Sequence, residues 1–275
     1  MTIDTNIAFI GGGAMAQAMI KGLLNAGMPR ERIRVAEPHA GQRQTLLDRC
    51  GINAAAGNLE VMAGAEVVIL AVKPGVVPVV LQEIAAHLAP AALVISIAAG
   101  VTLATLAEAA PNGQPLVRVM PNTPALVGAG ISAMICAPDT PREQRELAKA
   151  ILASIGLVEE LDSEGLMDGV TALSGSGPAY VYLMAEALSD GGVACGLPRG
   201  LADRLAVQTL LGSAAMLQKS GQHPGVLKNQ VTSPSGTTIA GLEALEQGGV
   251  RGALMAAVKA AWQRSRELSG ANKRA

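Results

Sequence analysis

The sequence predicts the α/β fold class: a sheet-and-helix domain over residues 1–162, followed by an all-α domain over residues 163–275. Three observations predict it. Short apolar runs alternate with helix-length amphipathic segments through the first half, a triple glycine separates the first run from the first such segment, and strand signals cease after "GLVEELD" at 156–162.

The elements follow in order. Ile7 to Ile10 form an apolar run ending in Gly11, Gly12 and Gly13, after which Met15, Met19, Ile20, Leu23 and Leu24 recur at helical spacing, so the chain reads strand, glycine turn, helix. "IRVAEP", "VVILAV", "ALVISIA" and "PLVRVM" are further strands, and "GLVEELD" is the last. Near-continuous apolar strands joined by helices imply a parallel sheet covered on both faces. In the second half, Pro178 begins a helix closed by the paired glycines Gly191 and Gly192, Pro198 begins a longer one closed by Gly221, and a third runs from Val250 to Leu268. The helix from Pro198 is apolar around most of its circumference: Leu201, Leu205, Val207, Leu210, Leu211 and Met216 cannot all face one partner. A small helical domain cannot cover such a surface alone, so an intertwined homodimer is expected at least.

Composition excludes several function classes. The formal net charge is -1 with no basic block, and Phe9, Tyr180, Tyr182 and Trp262 are the only aromatic side chains, so neither counterion release nor base stacking favours a nucleic-acid partner. Cys50, Cys136 and Cys195 lie far apart without CxxC spacing, and His39, His87 and His223 form no ligand pair, so reduced thiols and no metal are expected. The N-terminus does not read as a secretory signal, and the best apolar window is interrupted by Lys73 and Pro74 well short of a membrane span. A cytoplasmic protein with no membrane association is the expectation.

Ligands of such sheets bind at the carboxyl ends of the strands. The spacing Gly11-x-Gly13-x-x-Ala16, between a strand and an amphipathic helix, is the dinucleotide fingerprint of a Rossmann-type domain. Gly11 permits the tight turn, Gly13 lets the backbone approach a pyrophosphate, and Ala16 keeps the helix close to the strand. Glu37 follows the second strand where an acidic residue binds a ribose 2′-hydroxyl, which favours NAD, yet His39 and Arg43 come soon after and could reach a phosphate. A solvated loop carboxylate is the plainer role for Glu37, and the choice between NADH and NADPH stays open.

The stretch "VTSPSGTTIA", residues 231–240, has five hydroxyl residues and no charge. Ile239, Leu242 and Leu245 share one helical face after it, so a helix starts near Ser235 or Gly236. The turn is then a helix N-terminus with exposed N–H groups, hydroxyls and no carboxylate to repel an anion, suited to a small acid. An ordinary Ser/Thr cap is the alternative.

"VTSPSGTTIAGLEALE" closely resembles the signature of the pyrroline-5-carboxylate reductases, as do "ALSGSGPAY" at 172–180, "DGGVACGLPR" at 190–199, "AVKP" at 71–74, "AAGVT" at 98–102 and "PNTP" at 121–124. The resemblance covers essentially the whole chain in the same order. It implies hydride transfer from NAD(P)H to the C=N bond of 1-pyrroline-5-carboxylate giving L-proline, the last step of proline biosynthesis, with NADPH as cofactor and NAD possible, and a C-terminal dimerisation domain in a homodimer or a larger homo-oligomer built of dimers. Glu37 departs from many members, which carry a small or basic residue there.

By this resemblance Gly11, Gly12, Gly13, Ala14, Met15 and Ala16 hold the pyrophosphate, Asn58 contacts ribose or adenine, and Ala71, Lys73, Ala98 and Asn122 line the path to the nicotinamide; Lys73 could equally be a solvated lysine. The amides from Ser233 through Ser235, Gly236 and Thr237 to Thr238 cradle the substrate carboxylate, the Thr238 hydroxyl serves the ring nitrogen as the catalytic group, and Ser176 and Gly177 are secondary substrate contacts or simple caps. Cofactor and substrate turns fall in different domains, which places catalysis where the two meet. A β-hydroxyacid dehydrogenase is disfavoured, because its helical-domain lysine has no counterpart between Gly165 and Gln218, and a non-catalytic cofactor sensor would have no use for the polar turn.

Overall fold

The computed structural model describes residues 3–271, so the outermost residues of both expected domains, 1–2 and 272–275, lie outside the described residues. Among the described residues one seven-stranded sheet has the order β2-β1-β3-β4-β5-β6-β7. Its strands are β1 Ile7–Ile10, β2 Ile33–Ala36, β3 Val67–Leu70, β4 Leu93–Ser96, β5 Leu116–Met120, β6 Gly130–Cys136 and β7 Gly156–Glu160. The helices are α1 Ala14–Asn25, α2 Ala40–Cys50, α3 Val77–Ile84, α4 Leu103–Ala109, α5 Arg142–Ala153, α6 Met167–Val170, α7 Gly177–Ala194, α8 Arg199–Ser220, α9 Pro224–Gln230, α10 Thr237–Gln247 and α11 Val250–Ala271.

Alternation along each strand explains why both sheet faces are covered. Ile7, Phe9, Val35 and Ile69 pack in one core with Met19, Ile20 and Leu23 of α1 and Ile151 of α5, whereas Ala8, Ile10, Val68 and Leu70 pack in a second core with Val77, Leu81 and Ile84 of α3 and Leu106 of α4. Each such buried aliphatic side chain stabilises the fold by about 1.5–3 kcal/mol. Strands β1 to β5 pair in parallel, with Phe9 between Val35 and Ile69. The chain leaves β1 toward β2 on one side and continues through β3 on the other, so the switch point, and with it the binding crevice, lies at the carboxyl ends of β1 and β3.

The strand β6 has no counterpart among the expected strands. Its sequence, "GISAMIC", opens on glycine and carries a serine, yet Ser132 is buried. After β5 the chain reverses through a 3-10 turn, Thr123–Val127, and left-handed Gly128, so β6 runs antiparallel to β5 with Met120 opposite Ala133. Strand β7 then joins β6 in parallel at the sheet edge. Gly156 makes this joint possible: its φ is +144°, and an added Cβ would lie 1.9 Å from the Gly130 carbonyl oxygen.

The chain packs as two compact units, one comprising the residues up to Ser176 together with those from Ala261 onward, the other Gly177–Ala260. The division expected at 162/163 follows the end of strand structure; by packing, α6 and the last part of α11 group with the sheet. Asp168 Oδ1 accepts hydrogen bonds from Ser265 Oγ at 2.7 Å and Ser269 Oγ at 3.2 Å, which fastens that part of α11.

In the second unit α7 continues through Gly191 and Gly192 to Ala194 instead of stopping at them. Gly192 serves helix packing: a Cβ there would approach the Cβ of Ala202 on α8 to 3.2 Å, and Ala202 and Ala206 are buried. The hairpin is braced by Ser189, which bonds Asp203 and accepts from Arg199 Nη1 at 3.0 Å, and by an Arg199–Asp190 ion pair at 2.7 Å. Helix α8 ends as expected at left-handed Gly221, whose N–H donates to the Leu217 carbonyl. Its apolar circumference is exposed, with Val207 and Leu211 of α8 and Tyr182 and Leu183 of α7 all more than half accessible.

Replacing Gly156 by alanine should lower the unfolding free energy by about 3 kcal/mol, combining a strained φ with a backbone clash. Gly113 also has a positive φ but open space around it, so Gly113→Ala should cost about 1 kcal/mol. Denaturant unfolding of the two variants checks this; equal losses would contradict it.

Candidate active site

The crevice end of the first unit is built on the glycine turn. Gly11 has φ +98°, its N–H donates to the Ala36 carbonyl at 2.8 Å, and a Cβ there would lie 2.6 Å from the Ala71 oxygen, so only glycine brings the ends of β1, β2 and β3 together. Gly13 is the N-cap of α1 and faces open space, with no atom within 4 Å of a Cβ built on it. No side chain caps α1 and no acidic residue lies in its first turn, which leaves the N–H groups of Ala14 and Met15 available to an anion. Ala16, in the first turn of α1, is fully buried. A dinucleotide pyrophosphate fits this cradle: close approach is open at Gly13, donors face it, and no negative side chain occupies it.

Gly12 behaves differently from its neighbours. Its N–H donates to Glu37 Oε2 at 3.0 Å, and its carbonyl accepts from Gln17 Nε2 at 3.0 Å and from Gln42 Nε2 at 2.7 Å. Glu37 is thus no solvated loop carboxylate: it is 6% exposed, and its other oxygen accepts from the His39 N–H at 2.9 Å. Arg43 Nη1 donates to the carbonyls of Glu37 and Pro38, fixing the guanidinium over the end of β2. Gln17 and Gln42 carry no motif; the one sequence signal for Gln17 is a polar residue on the buried face of an amphipathic helix.

The other expected cofactor residues lie in unequal settings. Ala71 follows β3, its N–H bonded to the Ile10 carbonyl at 2.8 Å, and Ala98 is buried just after β4. Lys73 is exposed. Asn58 donates to Glu83 Oε2 at 2.9 Å. Asn122 uses both ends of its amide within the protein, accepting from the Ile131 N–H at 3.0 Å and donating to the Ser174 carbonyl at 3.2 Å. It stitches β5 and β6 to a π-helical turn, Thr171–Gly175. Ser176, expected at a turn before a helix, is the bend residue between that π-turn and α7, with helical dihedrals. A cavity of about 330 Å³ places Ser176 with Pro74, Ala99, Gly100 and Thr171, against Arg264 of α11. The return of α11 to this cavity has no local sequence signal.

A partly buried ion pair supports the loop after β4. Arg118 Nη1 on β5 donates to Glu164 Oε1 at 2.6 Å, and the same oxygen accepts from the N–H of Leu103, the first residue of α4, at 2.8 Å. The Arg118 side chain is only 5% exposed, so this carboxylate neutralises a charge beneath Ala98–Thr102 while fixing that loop's far end.

In the second unit the polar turn joins α9 to α10. Gly236, not a serine or threonine, is the N-cap of α10, with no side-chain cap and no acidic residue in the first turn. Ser235 is the only non-glycine residue with positive φ among the described residues, at 56°. A Cβ on Gly236 would lie 2.3 Å from Ser233 Oγ, and the Gly236 N–H donates to the Ser233 carbonyl at 3.2 Å, so the turn is tight. The Thr232 hydroxyl donates to the Lys228 carbonyl at 2.7 Å. Ser233, Ser235 and Thr237 are exposed and Thr238 is half-buried, at a helix start whose first N–H groups have no intrahelical acceptor. The arrangement can bind a small anion and present the Thr238 hydroxyl beside it.

Of the three thiols, Cys50 and Cys136 are buried and Cys195 is exposed, all free. Burial, then the nearby Glu160 charge, pushes Cys136 up to about 11, which makes it unreactive at neutral pH. Among the described residues no group of three or more His, Cys, Asp or Glu is placed to hold a metal, and no helix is long and apolar enough to cross a membrane.

Comparison with known proteins bears on the same regions. The family described as pyrroline-5-carboxylate reductase dimerisation matches residues 164–268, and that described as NADP oxidoreductase, coenzyme F420-dependent, matches residues 6–100. The pyrroline-5-carboxylate reductase of Synechocystis sp. is 46% identical over 97% of this chain and 99% of its own, and that of Pseudomonas aeruginosa 42% identical over 96% of each. Among solved structures, the pyrroline-5-carboxylate reductase of Coxiella burnetii superposes with TM-score 0.90 at 37% identity, covering 96% of this chain and 98% of that one. The Plasmodium falciparum pyrroline carboxylate reductase with NADP bound superposes with TM-score 0.87 at 34% identity, covering 98% of this chain and all of that one.

Glu164→Ala strands Arg118 and frees the Leu103 N–H, so it should lower stability by about 3 kcal/mol. Denaturant unfolding measures this, and a loss below about 1 kcal/mol would mean that the pair does not hold the loop.

Proposed function

The chain belongs to the pyrroline-5-carboxylate reductase family, and from that membership we infer that it reduces 1-pyrroline-5-carboxylate to L-proline with NAD(P)H, the last step of proline biosynthesis. The observation that carries the site assignment is the start of α10: a glycine-capped helix N-terminus with free N–H groups, neighbouring hydroxyls and no carboxylate. The substrate carries one carboxylate and one basic ring nitrogen, and this turn meets both needs. The amides from Ser233 to Thr238, with the Ser233 hydroxyl, bind the carboxylate. The Thr238 hydroxyl donates a hydrogen bond to the ring nitrogen, orienting the imine or passing it the proton that becomes the amine N–H. Ser176 and Gly177 are secondary substrate contacts.

When bound, the reduced dinucleotide supplies the hydride that the C=N carbon accepts. The chain's own part is to hold and orient. Gly11 to Ala16 hold the pyrophosphate, with Glu37 and Asn58 on the adenosine side and Ala71, Lys73, Ala98 and Asn122 toward the nicotinamide; Asn122 acts there through the loop it braces. The imine nitrogen is basic enough to react protonated, so positioning supplies most of the acceleration and no strong protein acid is needed. The exposed apolar faces of α7 and α8 support a homodimer, and larger assemblies of dimers follow if further apolar surface remains. Free thiols, one of them exposed, suit the reducing cytoplasm.

The purified protein should oxidise reduced dinucleotide only when pyrroline-5-carboxylate is added. Thr238→Ala should bind the dinucleotide as before but lose about 2–4 kcal/mol of transition-state stabilisation, read as kcat/KM. An unchanged kcat/KM would remove Thr238 from the mechanism.

A further inference from the structure

The polar turn that begins at Ser233 is carried by a short strut, and one residue fixes the strut's far end. Helix α9, Pro224–Gln230, leads through Val231 and Thr232 directly into that turn. A helix of seven residues does not persist by itself, and no residue of α9 is buried within the chain. A cavity of about 540 Å³, lined by Met216 of α8 and Leu227 of α9 among others, lies along its side. The position of α9 therefore depends on how its two ends are held.

His223 holds the first end. Its Nδ1 accepts from the Gly225 N–H at 3.1 Å, and its carbonyl accepts from the Val226 N–H at 2.9 Å. Pro224, between them, has no N–H to satisfy, so one residue serves the leading donors of the helix through both its side chain and its main chain. At the other end the Thr232 hydroxyl donates to the Lys228 carbonyl at 2.7 Å and the Thr232 N–H to the Asn229 carbonyl at 3.1 Å, so the last turn of α9 passes its orientation straight to Ser233. Gln230 Nε2 also donates to Gln222 Oε1 at 3.3 Å, tying the end of α9 back beside His223.

We propose that His223 is a positioning residue for substrate binding: by capping α9 it sets where the amides of the 233–238 turn point. The proposal rests on the reading that this turn takes the substrate carboxylate. Without the cap the first turn of α9 frays, and a strut of two turns keeps only one. The segment beyond Thr232 then visits orientations in which its N–H groups no longer converge on an anion, and the apparent affinity falls by the fraction of time so spent. Dinucleotide binding, which belongs to Gly11–Ala16, is untouched.

Steady-state kinetics with pyrroline-5-carboxylate test it, beside amide hydrogen exchange without substrate. His223→Ala should raise KM about fivefold, the factor equivalent to the ~1 kcal/mol of a helix cap, while kcat and dinucleotide affinity stay within about twofold. His223→Asn, whose side-chain oxygen caps in the same place, should bring KM back to within about twofold of the parent. The 231–238 amides should exchange faster in His223→Ala than in the parent, and those in the middle of α8 at the same rate. An unchanged KM in His223→Ala overturns the proposal, as does a raised KM that asparagine does not rescue or a loss confined to kcat. If His223→Ala does not fold, Thr232→Val releases the strut at its other end and should raise KM likewise; an unchanged KM there overturns the proposal too. Should the parent fail to turn over pyrroline-5-carboxylate, the reaction assignment falls and exchange still decides: unchanged rates at 231–238 remove His223 from the positioning of the turn, and faster ones uphold it.

Discussion

Among the described residues, Gly13 before α1 and Gly236 before α10 are glycine N-caps, and neither helix has a side-chain cap or an acidic residue in its first turn. Side-chain caps occur at α4, where the Thr102 hydroxyl accepts from the Thr105 N–H, and at α9, where His223 Nδ1 accepts from the Gly225 N–H, while α2, α3, α5 and α8 begin without one on residues other than glycine. A Ser, Thr, Asp or Asn cap is worth about 1 kcal/mol over an uncapped start, and glycine forgoes its side-chain hydrogen bond. At both places the sequence leaves main-chain donors and the positive end of a helix dipole open to an anion. A pyrophosphate suits the first and a small carboxylate the second.

Donors left open serve recognition only if they stay in place, and each turn is fixed by contacts of its own. At the first, Glu37, Gln17 and Gln42 occupy both polar groups of the Gly12 peptide, and the Ala71 carbonyl bars any side chain at Gly11. At the second, left-handed Ser235 and the close approach of Ser233 Oγ to Gly236 define the bend. A backbone outlier of this kind costs of order 1–3 kcal/mol and persists where function requires it. The loop after β4 is held by the Arg118–Glu164 pair in the same spirit: a buried charge satisfied by an oxygen that also terminates a helix start.

Much of this was legible in the sequence, and what was not shares a physical cause. Strands β1 to β5 announce themselves as apolar runs, because both sheet faces are covered there, whereas the edge strand β7, "GLVEE", is signalled only by Leu157 and Val158 and is largely exposed. β6 does not announce itself, since it opens on Gly130, against which Gly156 packs, and carries the buried Ser132. Gly191 and Gly192 read as a helix stop, yet α7 runs through both, and the small size of Gly192 serves the crossing with α8, which no local pattern reveals. The glycine fingerprint and the polar turn are local motifs and could be read directly. The Gln42 contact to Gly12, the Arg118–Glu164 pair and the return of α11 to Asp168 join residues 30, 46 and 97 positions apart, and only the folded chain brings them together.

The proposed chemistry requires main-chain donors at the start of α10 to take the acid group of the substrate and product. A crystal structure of the protein with L-proline bound tests it most directly. The proline carboxylate should lie within hydrogen-bonding distance of N–H groups in the 233–238 turn, with the ring nitrogen near the Thr238 hydroxyl. A carboxylate held instead by a lysine or arginine side chain, away from that turn, would contradict it.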